Sequence, residues 1–369
     1  MTRKKNRNGV ARGVCHVDTK AVARADAELR RAVHELSATN ARYAASSVQQ
    51  RAGRAAETWH AATLQQDATL KGVRLSARTT ASMGLPHAKP DILVTATRPG
   101  PPVAAQVKYA GTAAKSGIAQ ARADYGGMQR VVPADQLAQA QERVGAVSRR
   151  LAAKGDARAP RFADAAANLT DRVHAGSAES TPLTRAGAEQ LAIDPGALAR
   201  HGQLMQLKHA AKSGAVSSGV SGAVVALMVH GAEVAGGRST LGDAAIGVAS
   251  DTAVSALKGA VTAVGGGAIA TGAARVGFGA LARSSAPVAI AATALDAGCA
   301  LGSYATGNVS GQECADRVAR SVTTGAATWA GGELGMLVGT AICPGFGTAV
   351  GGLVGGLGAA LGIGALFKK

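Results

Sequence analysis

The sequence predicts an α+β N-terminal domain, with helices around a small sheet or hairpin, followed by an all-α, Gly/Ala-rich helical C-terminal region. Three observations favour this division. Apolar residues recur at helical spacing within residues 17–80, β-branched runs flank a Pro/Gly turn near residue 100, and charged residues become sparse after about Lys212. Aromatic residues make up only 3% of the chain, so closely packed helices of small residues fit better than an aromatic core.

Changes in composition divide the chain into five segments. Residues 1–16 are basic and polar, which is typical of a disordered arm. The α+β domain is expected over 17–151, with helices over about 20–48 and 50–70, strands at 91–97 and 103–110, and a helix that opens at Pro133. The remaining segments are a helical linker over 152–212, a Gly/Ala-rich helical region over 213–332 and a glycine-zipper hairpin over 333–369.

Positive charge is concentrated in the N-terminal half. Residues 1–200 contain 30 Lys and Arg against 16 Asp and Glu, a balance of +14 within a total of +17. A basic half favours an anionic partner such as nucleic acid, an anionic lipid surface or an acidic protein. The alternative is that an Arg-rich and Ala-rich composition reflects a GC-rich genome and affects solubility only.

The first residues, MTRKKNRNGVARG, are basic, but no apolar stretch follows them. We therefore expect synthesis in the cytoplasm without a secretory signal. The four cysteines form no CxxC pair, so neither a zinc site nor a disulfide framework is predicted.

The C-terminal segment has no charged residue from Leu334 to Phe367, a run of 34. Pro344 and Gly345 interrupt this run, which predicts two helical arms that fold as a hairpin. Glycines four apart share a helix face and let another helix approach closely. The glycines with this spacing are Gly347, Gly351, Gly355, Gly352, Gly356, Gly358 and Gly362. We expect membrane association or a homo-oligomer through these helices; a buried helix in a soluble core, disorder and amyloid-like packing are the alternatives.

Candidate chemistry lies in the predicted hairpin. Asp91 follows Pro90 at the start of one strand, and 14 residues separate it from Gln106, with Lys108 two positions further on. Side chains two apart on a strand point to the same face. Glu57, in the preceding helix, adds an acidic group three residues before His60.

This pattern resembles the core of the restriction-endonuclease-like nucleases, the PD-(D/E)xK superfamily, in the Gln-x-Lys version of its Mrr-like members. The resemblance covers about residues 50–145 and implies the order helix, hairpin, helix. It implies that Asp91, Gln106, Lys108 and Glu57 are catalytic and that Asp91 and Gln106 hold Mg²⁺. Gln106 stands where Glu is commoner, and 109–130 shows a helical or looped pattern in place of a third strand.

The resemblance also implies nucleic acid as a partner, with Arg54, Arg122 and Arg130 as candidate phosphate contacts. The series WHAAT, PD, QVKY and GMQRVVPADQ is similar to one in bacterial and phage-associated proteins with glycine-zipper tails. The expected function is therefore a membrane-associated effector or toxin with a nuclease-like N-terminal domain. Two alternatives stay open: a non-enzymatic pore-forming protein, similar to toxins that insert an apolar helical hairpin, and a scaffold with a degenerate site. For the motif itself, the alternative is that Asp91 caps a turn and Lys108 is a solvated strand residue.

Overall fold

The computed structural model describes residues 19–96, 102–235, 237, 239–275 and 286–342. The chain forms two compact units. One consists of Arg24–Met205, and the other combines Met1–Ala23 with Gln206–Lys369. The first unit is α+β and the described part of the second is helical, as the sequence predicts.

The α+β unit contains a five-stranded mixed sheet and a separate two-stranded ribbon. Its helices are α1 (Thr19–Arg42, of which residues from Arg24 belong to this unit), α2 (Val48–Leu70), α3 (Ala113–Gln120), α4 (Leu137–Ala152), α5 (Ala159–Asn168) and α6 (Arg185–Ile193). The sheet strands are β1 (Leu75–Thr79), β2 (Ile92–Ala96), β3 (Val103–Val107), β4 (Gln129–Val131) and β5 (Leu169–Thr170). The ribbon pairs β6 (His174–Ala175) with β7 (Ala178–Glu179).

The sheet has the strand order β1-β2-β3-β4-β5. The first three strands form an antiparallel meander, and β4 and β5 are added in parallel. A parallel neighbour requires a crossover, and α3 lies between β3 and β4 in the chain. Along the chain, the meander that contains β2 and β3 therefore lies between α2 and α3.

Local sequence signals fix the two helices next to this hairpin. Ser47 caps α2 through a capping box, in which its side chain accepts from the Gln50 amide and the Gln50 side chain accepts from the Ser47 amide. Thr112 caps α3 by accepting from the Lys115 amide. Gly117 on α3 must be small, because a Cβ there would lie 2.7 Å from Cγ2 of Val144 on α4.

Two apolar clusters hold the α+β unit together. The larger lies between the helices α1, α2 and α6 and the meander, and includes the fully buried Leu36, Leu64 and Ile92. The smaller joins α3, α4 and α5 around Val132 and Val144. Burial of each large aliphatic side chain contributes about 1.5–3 kcal/mol, so α2 is fixed against the sheet mainly by packing.

Local sequence patterns predicted part of this fold correctly. The hairpin is confirmed as β2 and β3, and the first two predicted helices are confirmed as α1 and α2. The expectation of no strand in 109–130 is wrong, because β4 begins at Gln129 and pairs with β3. The helix expected to open at Pro133 begins at Leu137, after a 3-10 turn. Residues 152–205, expected as linker, pack within the α+β unit.

The helical unit is built from four long helices within the described residues. They are α7 (Gly196–Ala235, of which residues from Gln206 belong to this unit), α8 (Leu241–Arg275), α9 (Ala286–Ala305) and α10 (Gly311–Ile342). Helix α9 packs against α8 and α10. Small residues mark the closest approaches, because a Cβ at Gly266 would lie 2.9 Å from the Val288 Cα. Close packing through small residues is therefore present in this unit.

Two described helices are long and apolar enough to cross a membrane, judged by length and composition. They are Leu241–Ala270 and Ala286–Ala305, each with a mean hydropathy of 1.4. Large apolar side chains are exposed on α8, α9 and α10: Leu241, Ile246, Leu257, Ile290, Leu301, Tyr304, Val322, Trp329, Leu334 and Val338. The glycine pattern at Gly347–Gly362 and the hinge at Pro344 lie outside the described residues; α10 continues through Glu333 to Ile342.

Candidate functional site

One carboxylate oxygen of Asp91 is the centre of the candidate site. The backbone N–H of Val107 donates to Asp91 Oδ2 at 2.8 Å, and Lys108 Nζ lies 3.3 Å from the same oxygen. The side-chain amide of Gln106 donates to this oxygen as well. The register of β2 and β3, with Ile92 opposite Ala105, brings these residues together.

Glu57 joins this cluster from α2. Burial and the negative charge of Asp91 raise the pKa of Glu57 to about 8, while Lys108 and Arg54 act in the opposite direction. These influences place Glu57 within electrostatic reach of both Asp91 and Lys108. Asp91, Gln106 and Lys108 therefore converge on one carboxylate oxygen, and Glu57 on α2 interacts electrostatically with Asp91 and Lys108.

The Gln106 amide is buried, with 2% exposure, and its Oε1 has no hydrogen-bond donor among the described residues. A buried acceptor without a partner costs about 1–3 kcal/mol. Next to it, Gln120 on α3 donates to the backbone oxygens of Gln106 and Val131, at 3.0 and 2.9 Å. The unpaired oxygen of Gln106 is thus a fixed, dehydrated acceptor beside the Asp91 carboxylate.

The oxygen atoms of these groups are of the type that hard divalent cations bind. The described residues contain no cluster of three or more His, Cys, Asp or Glu side chains that would form a metal site by themselves. Asp91 and Glu57 supply two carboxylates, and Gln106 supplies an amide oxygen that lacks a donor. Mg²⁺ commonly uses one or two carboxylates and completes its shell with water and substrate phosphates, so this small oxygen set suits it.

A buried chain of hydrogen bonds fixes the helix that carries Glu57. His60, which is fully buried, lies 2.9 Å from Ser180 Oγ through Nδ1 and 3.0 Å from Tyr109 Oη through Nε2. Tyr109 in turn donates to the Leu183 carbonyl oxygen at 2.9 Å. Burial lowers the pKa of His60 to about 3, so the ring is neutral.

The directions of these bonds follow from the partners. Because the Tyr109 hydroxyl donates to Leu183, its oxygen accepts from His60 Nε2–H, and the unprotonated Nδ1 accepts from Ser180. His60 lies one turn after Glu57, and Tyr109 directly follows Lys108. The chain of bonds therefore holds Glu57 and Lys108 in register. Sequence reasoning noted His60 only as a neighbour of Glu57 and did not identify Ser180 or Tyr109.

The three candidate phosphate contacts have different environments. The Arg122 side chain is 65% exposed, and both its guanidinium and Lys108 Nζ lie 5.6 Å from the Tyr125 ring centroid. Arg54 lies over the ring of Tyr43. Arg130 is only 1% exposed and pairs with Asp164, so the structure does not bring it to the surface as the sequence-based expectation requires.

Comparison of the chain with protein-family models, with curated proteins and with solved structures finds no match.

Proposed function

We propose that the α+β unit is a Mg²⁺-dependent nuclease of the PD-(D/E)xK kind that hydrolyses phosphodiester bonds in nucleic acid. The observation that carries this proposal is the convergence of Gln106, Val107 and Lys108 on a single oxygen of Asp91. Gathering several donors around one carboxylate costs free energy, because these polar groups lose their contacts with water. Such an arrangement therefore favours a carboxylate whose orientation matters.

The topology supports the proposal. Helix α2, the β2–β3 hairpin and α3 follow one another in the order that the resemblance implies. Strand β4, in parallel beside β3, supplies the strand after Lys108 that the sequence did not reveal. Asp91 precedes the first hairpin strand, and Gln106 and Lys108 lie at the end of the second.

Each residue has a role in this proposal. Asp91, Gln106 and Glu57 would hold the cation, which when bound supplies Lewis-acid polarisation of the phosphate and of an attacking water. Lys108 neutralises charge that develops on the phosphate oxygens. Without a cation, Glu57 has a pKa of about 8 and carries its proton near neutral pH; a bound cation would displace that proton, because it favours ionised carboxylates.

Incubation of the full chain with labelled DNA and RNA in the presence of Mg²⁺ tests this function. Asp91→Ala and Lys108→Ala are expected to lower cleavage at least about a hundredfold, a size typical of loss of one preorganised electrostatic group. Lys115→Ala, at an exposed lysine on α3, is the matched control and is expected to cleave as the wild type does. Equal activity in all variants would remove the proposed site, and cleavage that persists in EDTA would remove the metal.

A second candidate function rests on the helical unit. The apolar helices α8 and α9, with exposed Leu257 and Leu301, support a membrane-inserting role, either as an anchor for a nuclease effector or as a non-enzymatic pore or scaffold. Flotation with liposomes and dye leakage test this role. Leu257→Glu is expected to reduce both, whereas Val216→Glu, on α7, is the matched control. If a chain that ends at Gly332 retains membrane association and leakage, the proposed role of the glycine-zipper tail fails.

A further inference from the structure

A second cationic feature lies beside the candidate site. A half-open cavity of about 350 Å³ is formed where α1 turns into α2, and it is lined by Tyr43, Ser46, Gln50, Arg51 and Arg54. Binding pockets for small ligands commonly enclose about 300–1,000 Å³, so this cavity has room for one nucleotide. Its charged lining consists of two guanidinium groups.

The guanidinium groups are held in fixed orientations. Arg54 stacks on Tyr43 with its Cζ 3.8 Å from the ring centroid. Arg51 Nη1 donates to the Ala192 carbonyl oxygen at 3.1 Å, and its buried Nε has no partner among the described residues. A stacked arginine loses little side-chain freedom when it binds a phosphate, so such a site is preorganised.

Carboxylates do not neutralise this pair. Within the part of the chain that the structure describes, neither Arg51 nor Arg54 forms an ion pair with an Asp or Glu side chain. The start of α2 adds the positive end of a helix dipole. The cavity therefore presents an uncompensated positive potential.

The position of the cavity connects it to the candidate site. Arg54 and Glu57 lie three residues apart on one face of α2, about 4.5 Å along the helix axis. We propose that this cavity is a phosphodiester subsite that holds the strand of a single-stranded nucleic acid next to the cluster of Asp91. Arg54 and Arg51 bind the backbone phosphate, and the half-open cavity between them and Tyr43 receives one nucleotide of the strand. This inference rests on the proposed function and identifies single strands as its substrate class.

Fluorescence anisotropy of the full chain with a labelled single-stranded oligonucleotide in EDTA measures binding without cleavage. Arg54→Gln, which removes the charge and keeps a polar side chain, is expected to weaken binding at least about tenfold and to lower the slope of log K against log salt by about one. Arg54→Lys, which keeps the charge without the planar stack, is expected to have an intermediate affinity. The matched control is Arg150→Gln. Arg150 is an exposed residue of α4, the helix that packs against α3 and α5.

The outcomes separate this inference from the nuclease proposal. An Arg54→Gln affinity equal to that of Arg150→Gln, with unchanged melting of both variants, would overturn the subsite. Complete displacement of the oligonucleotide by an equal concentration of AMP or inorganic phosphate would overturn the assignment to a strand. If Asp91→Ala leaves cleavage unaffected, the proposed nuclease site is contradicted. The subsite is not, because binding through Arg54 is measured in EDTA.

Discussion

The Nε2 atom of His60 lies 3.0 Å from the hydroxyl oxygen of Tyr109, and this bond joins the helix of Glu57 to the strand end of Lys108. Both side chains are buried, so water cannot replace the bond. The relationship provides the first of five tests.

Tyr109→Phe removes the hydroxyl and leaves His60 Nε2–H without a partner, while the Leu183 oxygen keeps only the Ala134 amide as a donor. We expect the α+β unit to lose about 1–3 kcal/mol of unfolding free energy. Urea unfolding followed by the fluorescence of Trp59, in a Trp329→Phe background, reports on this unit alone. Tyr125→Phe is the matched control, because Tyr125 is also a buried residue and its hydroxyl forms no hydrogen bond within the part of the chain that the structure describes; a loss as large there would contradict the role of the chain of bonds.

The low pKa of His60 predicts a pH dependence of stability. The unfolded chain binds a proton at His60 below its usual pKa of 6.5, whereas the folded chain does so only below about 3. Because the unfolded state binds more protons between these values, this contribution to stability is full above pH 6.5 and is lost as the pH falls towards 3. In His60→Gln the slope of unfolding free energy against pH is expected to fall by up to about 1.4 kcal/mol per pH unit, measured by urea midpoints. An unchanged slope would show that His60 is not the group involved.

Glu57 predicts the opposite slope. Its folded pKa of about 8 exceeds the usual 4.5, so the folded state binds more protons between these values and stability falls as the pH rises through that window. Glu57→Gln is expected to remove this fall and to be more stable than the wild type above pH 8. Urea unfolding with EDTA at pH 6 and pH 9 measures the difference; Glu142→Gln, at an exposed residue of α4, is the control.

The same carboxyl predicts a response to metal. Since a bound cation favours ionised carboxylates, Mg²⁺ is expected to displace the Glu57 proton near pH 7. Proton release in a weak buffer on addition of MgCl₂ measures this, without any need for cleavage. Release that is identical in wild type and Glu57→Gln would show that the cation binds elsewhere.

Glycine positions in the helical unit give a paired test of close helix packing. A Cβ at Gly259 on α8 would clash with the Gly214 carbonyl oxygen and with Ser218 on α7, whereas a Cβ at Gly298 on α9 meets open space. Gly259→Ala is expected to destabilise by about 1–3 kcal/mol and Gly298→Ala to stabilise by up to about 1 kcal/mol. Hydrogen exchange of peptides from α7 and α8 should become faster in the first variant and not in the second. Equal exchange in both variants would contradict the close packing.

Local patterns were sufficient for the hairpin and for the placement of Glu57, because alternation and helical spacing are signals within a few residues. They failed for β4, whose three residues are too short to show alternation and follow Gly126 and Gly127. The burial of Arg130 was missed because β4 was missed. Arg130 was expected at the surface, but β4 is a central strand of the sheet, between β3 and β5.

The hydrogen-bond partners of His60 could not be predicted from the sequence. Ser180 lies 120 residues from His60, and Leu183 lies 74 residues from Tyr109. Bonds at this separation depend on how β5 and the following loop return to α2, and no short-range periodicity encodes that return. The geometry of the cluster around Asp91 is therefore set partly by a segment that carries no motif.

Because the cluster depends on residues late in the sequence, its contacts are completed late during synthesis. The groups that fix α2 through His60 and Tyr109 are supplied by Ser180 and Leu183, about 75 residues after Lys108. At roughly 5–20 residues per second, the ribosome adds them about 4–15 s later. A nascent chain that already contains Glu57, Asp91 and Lys108 thus lacks the contacts that hold them in register. If the proposed nuclease function holds, the site would become active only after the α+β unit has been completed.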